Sequence, residues 1–168
     1  MEQQTPLEQA FLEDHHKMMR GLDAVHHALE DGNVPQAVAQ ARELDRVAGP
    51  HIQFEEEVLY PQVGEARGEK YHAVLIGEHD EARRGVEALL QLGDVLGDNA
   101  GEPGKPGQEE VGEIRDAIRT GLEHGAHCGT LLSHLTTLDP ALQQTALNRL
   151  LELRRTGSPW HLLPRENS

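Results

Sequence analysis

His15-His16-Lys17-Met18-Met19-Arg20-Gly21-Leu22-Asp23-Ala24-Val25 is echoed 64 positions later by His79-Asp80-Glu81-Ala82-Arg83-Arg84-Gly85-Val86-Glu87-Ala88-Leu89. Each stretch opens on a histidine, then sets Arg-Gly, an aliphatic residue, an acid, Ala and a second aliphatic at the same offsets. A second pair, His51 and His127, stands 76 positions apart. The 12 extra positions match the size of the Gly/Pro-rich stretch Gly97–Gln108, which lies only in the second half. The chain therefore reads as two related helical hairpins, each offering a histidine from both of its helices. That arrangement suits a metal centre inside a four-helix bundle.

Apolar periodicity extends the reading outward. Thr5-Pro6-Leu7-Glu8 carries the signature of a helix start, with a capping threonine, a proline in the first turn and a glutamate completing a capping box. The helix is expected to run to Asp31-Gly32, with the stripe Leu7, Phe11, His15, Met18, Leu22, Val25, Leu29 facing the core. A second helix starts at Asn33 and Pro35 and turns Ala37, Ala41, Leu44, Ala48, His51, Glu55 and Val58 inward. Gly49-Pro50 is expected to bend or break it, and Pro61 to mark its approaching end.

The third helix is placed at Glu69–Leu96 and carries His79 in its stripe. The fourth, Glu109–Leu138, has two competing stripes: Ile114, Ile118, Gly121, Gly125, Cys128, Leu132, Leu135, or His124, His127, Leu131, His134, Leu138. Asp139-Pro140 starts a fifth helix to Thr156, with Leu142, Leu147, Leu150 and Leu151 as packing residues. The expected fold is all-α, an up-down-up-down four-helix bundle with an extra C-terminal helix. The bundle spans residues 1–156, with a flexible connection at 97–108 and a tail at 157–168 that Trp160 anchors.

Composition narrows the function classes. A length of 168 residues allows one domain with a substantial core. Aromatic residues are only 3%, so Leu, Val, Ile, Ala and Met must build that core, which favours helices. A net charge of −14 argues against nucleic acid and against an anionic membrane surface. No signal peptide and no apolar run approaching ~20 residues is recognisable. The single cysteine, Cys128, has no internal disulfide partner. A cytoplasmic location is expected, and no protein partner is indicated.

The chemistry rests on helical spacing. His51 and Glu55 lie about 6 Å apart along one helix face and can reach one inward point. Neutral imidazoles with a carboxylate suit iron, manganese or zinc. A metal makes their burial favourable, where unpaired burial costs several kcal/mol, roughly. Cys128 points about 100° away from His127 and reads as a small core residue. His16, His26, His27, His72 and His161 read as structural or surface residues, and Glu56 and Glu57 as solvated.

Asp14-His15-His16, His51-Ile52-Gln53-Phe54-Glu55-Glu56-Glu57-Val58-Leu59-Tyr60-Pro61 and Glu78-His79-Asp80 resemble the first three helices of the hemerythrin-like (HHE cation-binding) family. The resemblance covers about residues 5–138. It implies a four-helix bundle around a non-haem di-iron centre with dioxygen, nitric oxide or iron handling; the expected function is a non-haem iron protein, with two ions or one, that binds or senses dioxygen, nitric oxide or peroxide. The ligands it implies are His15, His51, Glu55, His79 and His127. Two departures stand out. Family members place a bridging carboxylate one turn after the fourth-helix histidine, where this chain has Leu131. The family's oxygen carriers have a second third-helix histidine where this chain has Arg83, which cannot be a ligand and either covers the site or turns outward.

Three outcomes follow from the missing carboxylate. A hydroxide or external bridge completes the pair, Glu123 or His124 substitutes from one turn before His127, or one metal binds. His134 stands about 10 Å along the axis and is a poor substitute. The alternatives in function are a metal-poor regulatory or binding module with a degenerate site, or a peroxide-consuming enzyme, although no dedicated acid–base or nucleophile set is recognisable.

Overall fold

In a computed structural model, residues 4–98 and 106–165 are described. Helix α1 spans Pro6–Glu30. Thr5 accepts a hydrogen bond from the Glu8 amide while the Glu8 carboxylate accepts one from the Thr5 amide, which satisfies two of the amides a helix start leaves unpaired. Gly32, at φ +68°, turns the chain into α2, Val34–Phe54. A π-helical turn, Glu55–Leu59, joins α2 to α3, Tyr60–Arg67. Helix α4 covers Glu69–Asp98 and α5 Gln108–Cys128. A 3₁₀ turn at Gly129–Leu132, the short α6 at Ser133–Thr136 and the longer α7 at Pro140–Thr156 follow.

Helix α1 packs along α2, and α4 along α5; α1 also meets α5, and α2 meets α4. Each long helix thus touches two neighbours in sequence order, the square of an up-down-up-down bundle, and α7 lies outside across α1 and α2. The structure is all-α among the described residues, as expected. No helix among them is long and apolar enough to cross a membrane. Most of the connection expected at 97–108 falls in residues 99–105, outside the described residues.

The bundle interior has two apolar clusters. One holds Met18, Leu22, Val25, Ala41, Leu44, Ile52, Val86, Leu89 and Ile118. The other holds Leu7, Phe11, Phe54, Leu59, Val63, Leu75, Leu131, Leu135 and Leu150. Along every long helix a buried polar residue separates the two: His15 on α1, His51 with Glu55 at the end of α2, His79 on α4 and His124 on α5. The core is therefore two apolar halves with one polar layer between them.

Gly49-Pro50 acts differently from expectation. Helix α2 runs through Pro50 without a break. The Gly49-Pro50 pair instead receives the tail. A Cβ on Gly49 would lie 2.0 Å from the Ser158 carbonyl oxygen, so only glycine lets that strand cross the helix. Trp160 and Leu163 then insert into the first cluster, and Asp45 accepts bonds from the His161 amide and Nδ1 at 2.8 and 2.7 Å. The irregularity comes later, before Pro61. A proline ring collides with the carbonyl four residues back in a regular helix. Here the turn widens, and the Tyr60 amide bonds the Glu55 carbonyl five residues back. That extra residue rotates the face, so Leu59 and Tyr60 are fully buried while Val58, expected inside, is half-buried. On α7 the core contacts come from Ala146, Leu150 and Leu153, while Leu142 and Leu151 are 50% and 42% exposed. The register there follows the α1–α2 groove.

Candidate metal centre

The polar layer converges on Glu55, which is completely buried. One carboxylate oxygen, Oε1, lies 3.2 Å from His51 Nε2 and 3.9 Å from His15 Nδ1. The other, Oε2, lies 3.1 Å from His79 Nε2. Two groups of three donors have all their ligand atoms within 4.8 Å of one another: His15, His51, Glu55 and Glu55, His79, His124. Glu55 belongs to both. The π turn adds Tyr60 to the layer. Five residues along a regular α-helix amount to about 500°, which would turn residue 60 well away from residue 55. In the widened turn the Tyr60 hydroxyl stands 3.3 Å from Glu55 Oε2, 2.9 Å from His79 Nε2 and 2.7 Å from His124 Nε2.

Outer partners orient the rings. His15 Nε2 donates to the Gly125 carbonyl at 2.9 Å, so the neutral ring presents a bare Nδ1 inward. His79 Nδ1 donates to Glu56 at 3.0 Å, and His124 Nδ1 to Glu78 at 2.6 Å. His51 directs Nε2 inward, and its Nδ1 has no partner among the described residues. Glycine makes the first of these bonds possible. A Cβ on Gly125 would strike Met19 Sδ, and one on Gly121 would strike Ala82, so α5 lies close against α1 and α4.

The charges follow from burial and pairing. Burial alone would raise the Glu55 carboxyl, but His51 and His79 outweigh it and hold it well below the usual range. Burial likewise opposes a charge on His79, yet Glu55 and Glu56 raise it to about 9. His15 and His124 are lowered, first by burial and then, for His124, by the neighbouring His79. Burial and then Glu55 push both the Cys128 thiol and the Tyr60 phenol upward. Without metal, the layer therefore holds a carboxylate–imidazolium–carboxylate line, Glu55–His79–Glu56, beside the lowered His15 and His124 rings.

This line has a pH signature. The folded value of His79, about 9, exceeds its unfolded value of ~6.5. Its stabilisation is complete below pH ~6.5 and is lost as pH rises through 9. His15 and His124 act with the opposite sign, below pH ~6.5. The buried Cys128 and Tyr60 steepen the alkaline loss above about pH 8.5, where a free thiol begins to ionise. The urea midpoint of metal-free protein is expected to fall between pH 6.5 and 9 by an amount on the order of a few kcal/mol in stability. A flat profile there would contradict the charged His79.

Four of the five residues expected at the centre, His15, His51, Glu55 and His79, are brought together. His127 is not: it is exposed on the outside of α5, and its ring bonds the Tyr71 hydroxyl. His124 takes the place in the layer instead. The reason is angular. The buried face of α5 is the stripe Ile114, Ile118, Gly121, Gly125, Cys128. His124 lies about 40° from Cys128 around the axis and His127 about 100°. Matching the two halves by the length of the intervening connection points to a histidine that lies outside the buried layer. The pair His124 and Cys128, four apart like His51 and Glu55, was the available signal.

Other expectations change with it. Position 128 stands one turn after the fourth-helix histidine, and Leu131 belongs to the second apolar cluster. Cys128 is a core residue but also touches the layer, with Sγ 2.9 Å from Glu55 Oε1. Glu56 is not merely solvated, because it holds His79 and accepts from Arg165 at 3.2 Å. Glu57 is exposed, paired with Arg149. Arg83 turns outward, to Glu87 and the Leu163 carbonyl. Glu123 is exposed.

The donor set fits a metal. Nitrogen and carboxylate oxygen atoms from four helices converge, and hydrogen bonds on the far side of His15, His79 and His124 leave the inward nitrogens for a ligand role. A cleft of about 740 Å³ lined by Glu56, His72, Asp80, Arg83 and Arg165 adjoins the His79 side.

Comparison with curated proteins and with solved structures gave no match. The family model for the hemerythrin HHE cation binding domain matches residues 7–127, from the first turn of α1 to the residue before Cys128. That span contains His15, His51, Glu55, His79 and His124 on helices of the expected order, and the chain belongs to the hemerythrin HHE cation-binding family.

Proposed function

We propose that the protein is a non-haem iron protein whose centre holds two ions and binds or senses dioxygen, nitric oxide or peroxide. The observation that carries this reading is the sharing of Glu55 between two three-donor groups. A carboxylate with one oxygen toward each group is suited to joining two cations. His15 and His51 serve one side, His79 and His124 the other. When bound, iron supplies an open coordination position for a small ligand and the electrons for its chemistry.

The chain's own residues prepare that position. Leu59, Phe54, Phe11 and Ile52 exclude water around the layer. Tyr60 offers one hydroxyl proton beside Glu55, His79 and His124 and can donate it to a ligand held there. Glu56 and Glu78 fix the ring orientation of His79 and His124.

Metal content separates this reading from a metal-poor module. Protein from iron-fed cells is expected to carry two irons per chain. His124→Ala should lose at least half of that metal, while His127→Ala should keep all of it. Full loading of His124→Ala would remove His124 from the ligand set. Iron-free wild type that also refuses iron in vitro would sink the reading altogether.

A further inference from the structure

We propose that Cys128 is a sulfur donor to the metal centre, in the position on α5 that Glu55 occupies on the second helix. The inference rests on the metal-centre reading above. Three observations carry it. Cys128 follows His124 by four residues, as Glu55 follows His51, so each is presented one turn beyond a histidine of the layer. Its Sγ is fully buried and lies 2.9 Å from Glu55 Oε1, the oxygen on the His15–His51 side, and 3.5 Å from the Tyr60 hydroxyl on the His79–His124 side. It thus stands at the boundary of the two donor groups. It falls outside both sets of three, but it lies against Glu55, the one residue they share.

The chemistry supports the position. The layer offers only one central carboxylate to two cations, and a thiolate supplies the second negative charge that imidazoles cannot. Metal binding displaces the thiol proton, which leaves to solvent as the metal–sulfur bond forms; no electron is transferred and no oxidant is needed. In the metal-free protein the same thiol donates to Glu55, so the sulfur lies against the carboxylate that the two donor groups share. Sulfur also changes what the centre prefers. A thiolate shifts affinity toward softer cations and lowers the potential of a redox metal relative to an all-nitrogen-and-oxygen site.

The test uses zinc and cobalt(II), which bring no oxidation chemistry of their own under anaerobic conditions. Wild type and Cys128→Ser are loaded to saturation, and metal content is measured for each. X-ray absorption of the zinc-loaded wild type is expected to require a sulfur scatterer at about 2.3 Å. The cobalt-loaded wild type is expected to show a near-ultraviolet sulfur-to-metal charge-transfer band. Both signals should vanish in Cys128→Ser, and because Cys128 is the chain's single cysteine no other thiolate can supply them. Wild type that binds metal with nitrogen and oxygen neighbours alone overturns the sulfur proposal and leaves the metal centre standing. Wild type that binds neither zinc, cobalt nor iron overturns both. Cys128→Glu guards against a misfolded serine variant: it should bind metal without either sulfur signal, and a sulfur signal that persists in it would refute the assignment to Cys128.

Discussion

Glu55→Gln is expected to empty both halves of the metal centre at once. The substitution keeps size and most hydrogen-bonding capacity but removes the one carboxylate, among the described residues, common to the two donor groups. A neutral amide gives neither cation a countercharge, and its nitrogen end faces one of the two donor groups as a hydrogen-bond donor. Outer partners of ligating histidines alone are worth 10–100-fold in affinity, roughly, so loss of the shared donor should exceed ~100-fold for both ions. The measurement is competitive metal titration with a chromogenic chelator. Glu57→Gln, the same charge change on an exposed residue two positions on, should titrate like wild type. Loss of one metal only would mean that the groups do not share Glu55, and wild-type affinity in Glu55→Gln would exclude it from the centre.

Gly49→Ala is expected to cost stability without touching the centre directly. In a helix interior, alanine is normally favoured over glycine by about 1 kcal/mol. Here the new methyl would meet Ser158 O at 2.0 Å and the Pro159 and Trp160 backbone at 2.7 Å, all main-chain atoms with no rotamer to change. The strand must lift off α2. Trp160, 1% exposed, then loses its place in the first apolar cluster, and Asp45 loses both bonds to His161. A net loss of about 2–4 kcal/mol follows from withdrawing a large aromatic side chain from a core. Chemical denaturation checks the magnitude, and tryptophan fluorescence checks the cause, since Trp160 is the single tryptophan. A stabilised Gly49→Ala with unchanged emission would show that the tail is not held there.

Much of the bundle was legible because helical periodicity is a local signal. The α1 stripe from Leu7 to Leu29 is buried throughout, and the caps at Thr5, Asn33 and Asp139 act as their residue types suggest. What failed depended on information that a single helix does not carry. The choice between His124 and His127 turned on which side of α5 faces α1 and α4, which the two small residues Gly121 and Gly125 decide by permitting close contact. Tyr60 was hidden by the π turn, since constant angular spacing puts it on the wrong face. Glu78 and Glu56 were hidden because their partners are on other helices. Gly49-Pro50 looked like a break because its partner, Ser158-Pro159-Trp160, is more than a hundred residues away in the chain.

The polar layer between two apolar clusters bears on how the protein comes apart. Each cluster draws on all four long helices, and at mid-height the buried side chains between them are mostly imidazole, carboxylate, phenol and thiol groups. Such bonds contribute little once water reaches them. In the metal-free chain the two halves can therefore loosen as separate units, and the melting transition broadens. A cation held by the proposed donors from four helices would tie the halves into one unit and stabilise only the intact form. Metal loading is therefore expected to sharpen the unfolding transition.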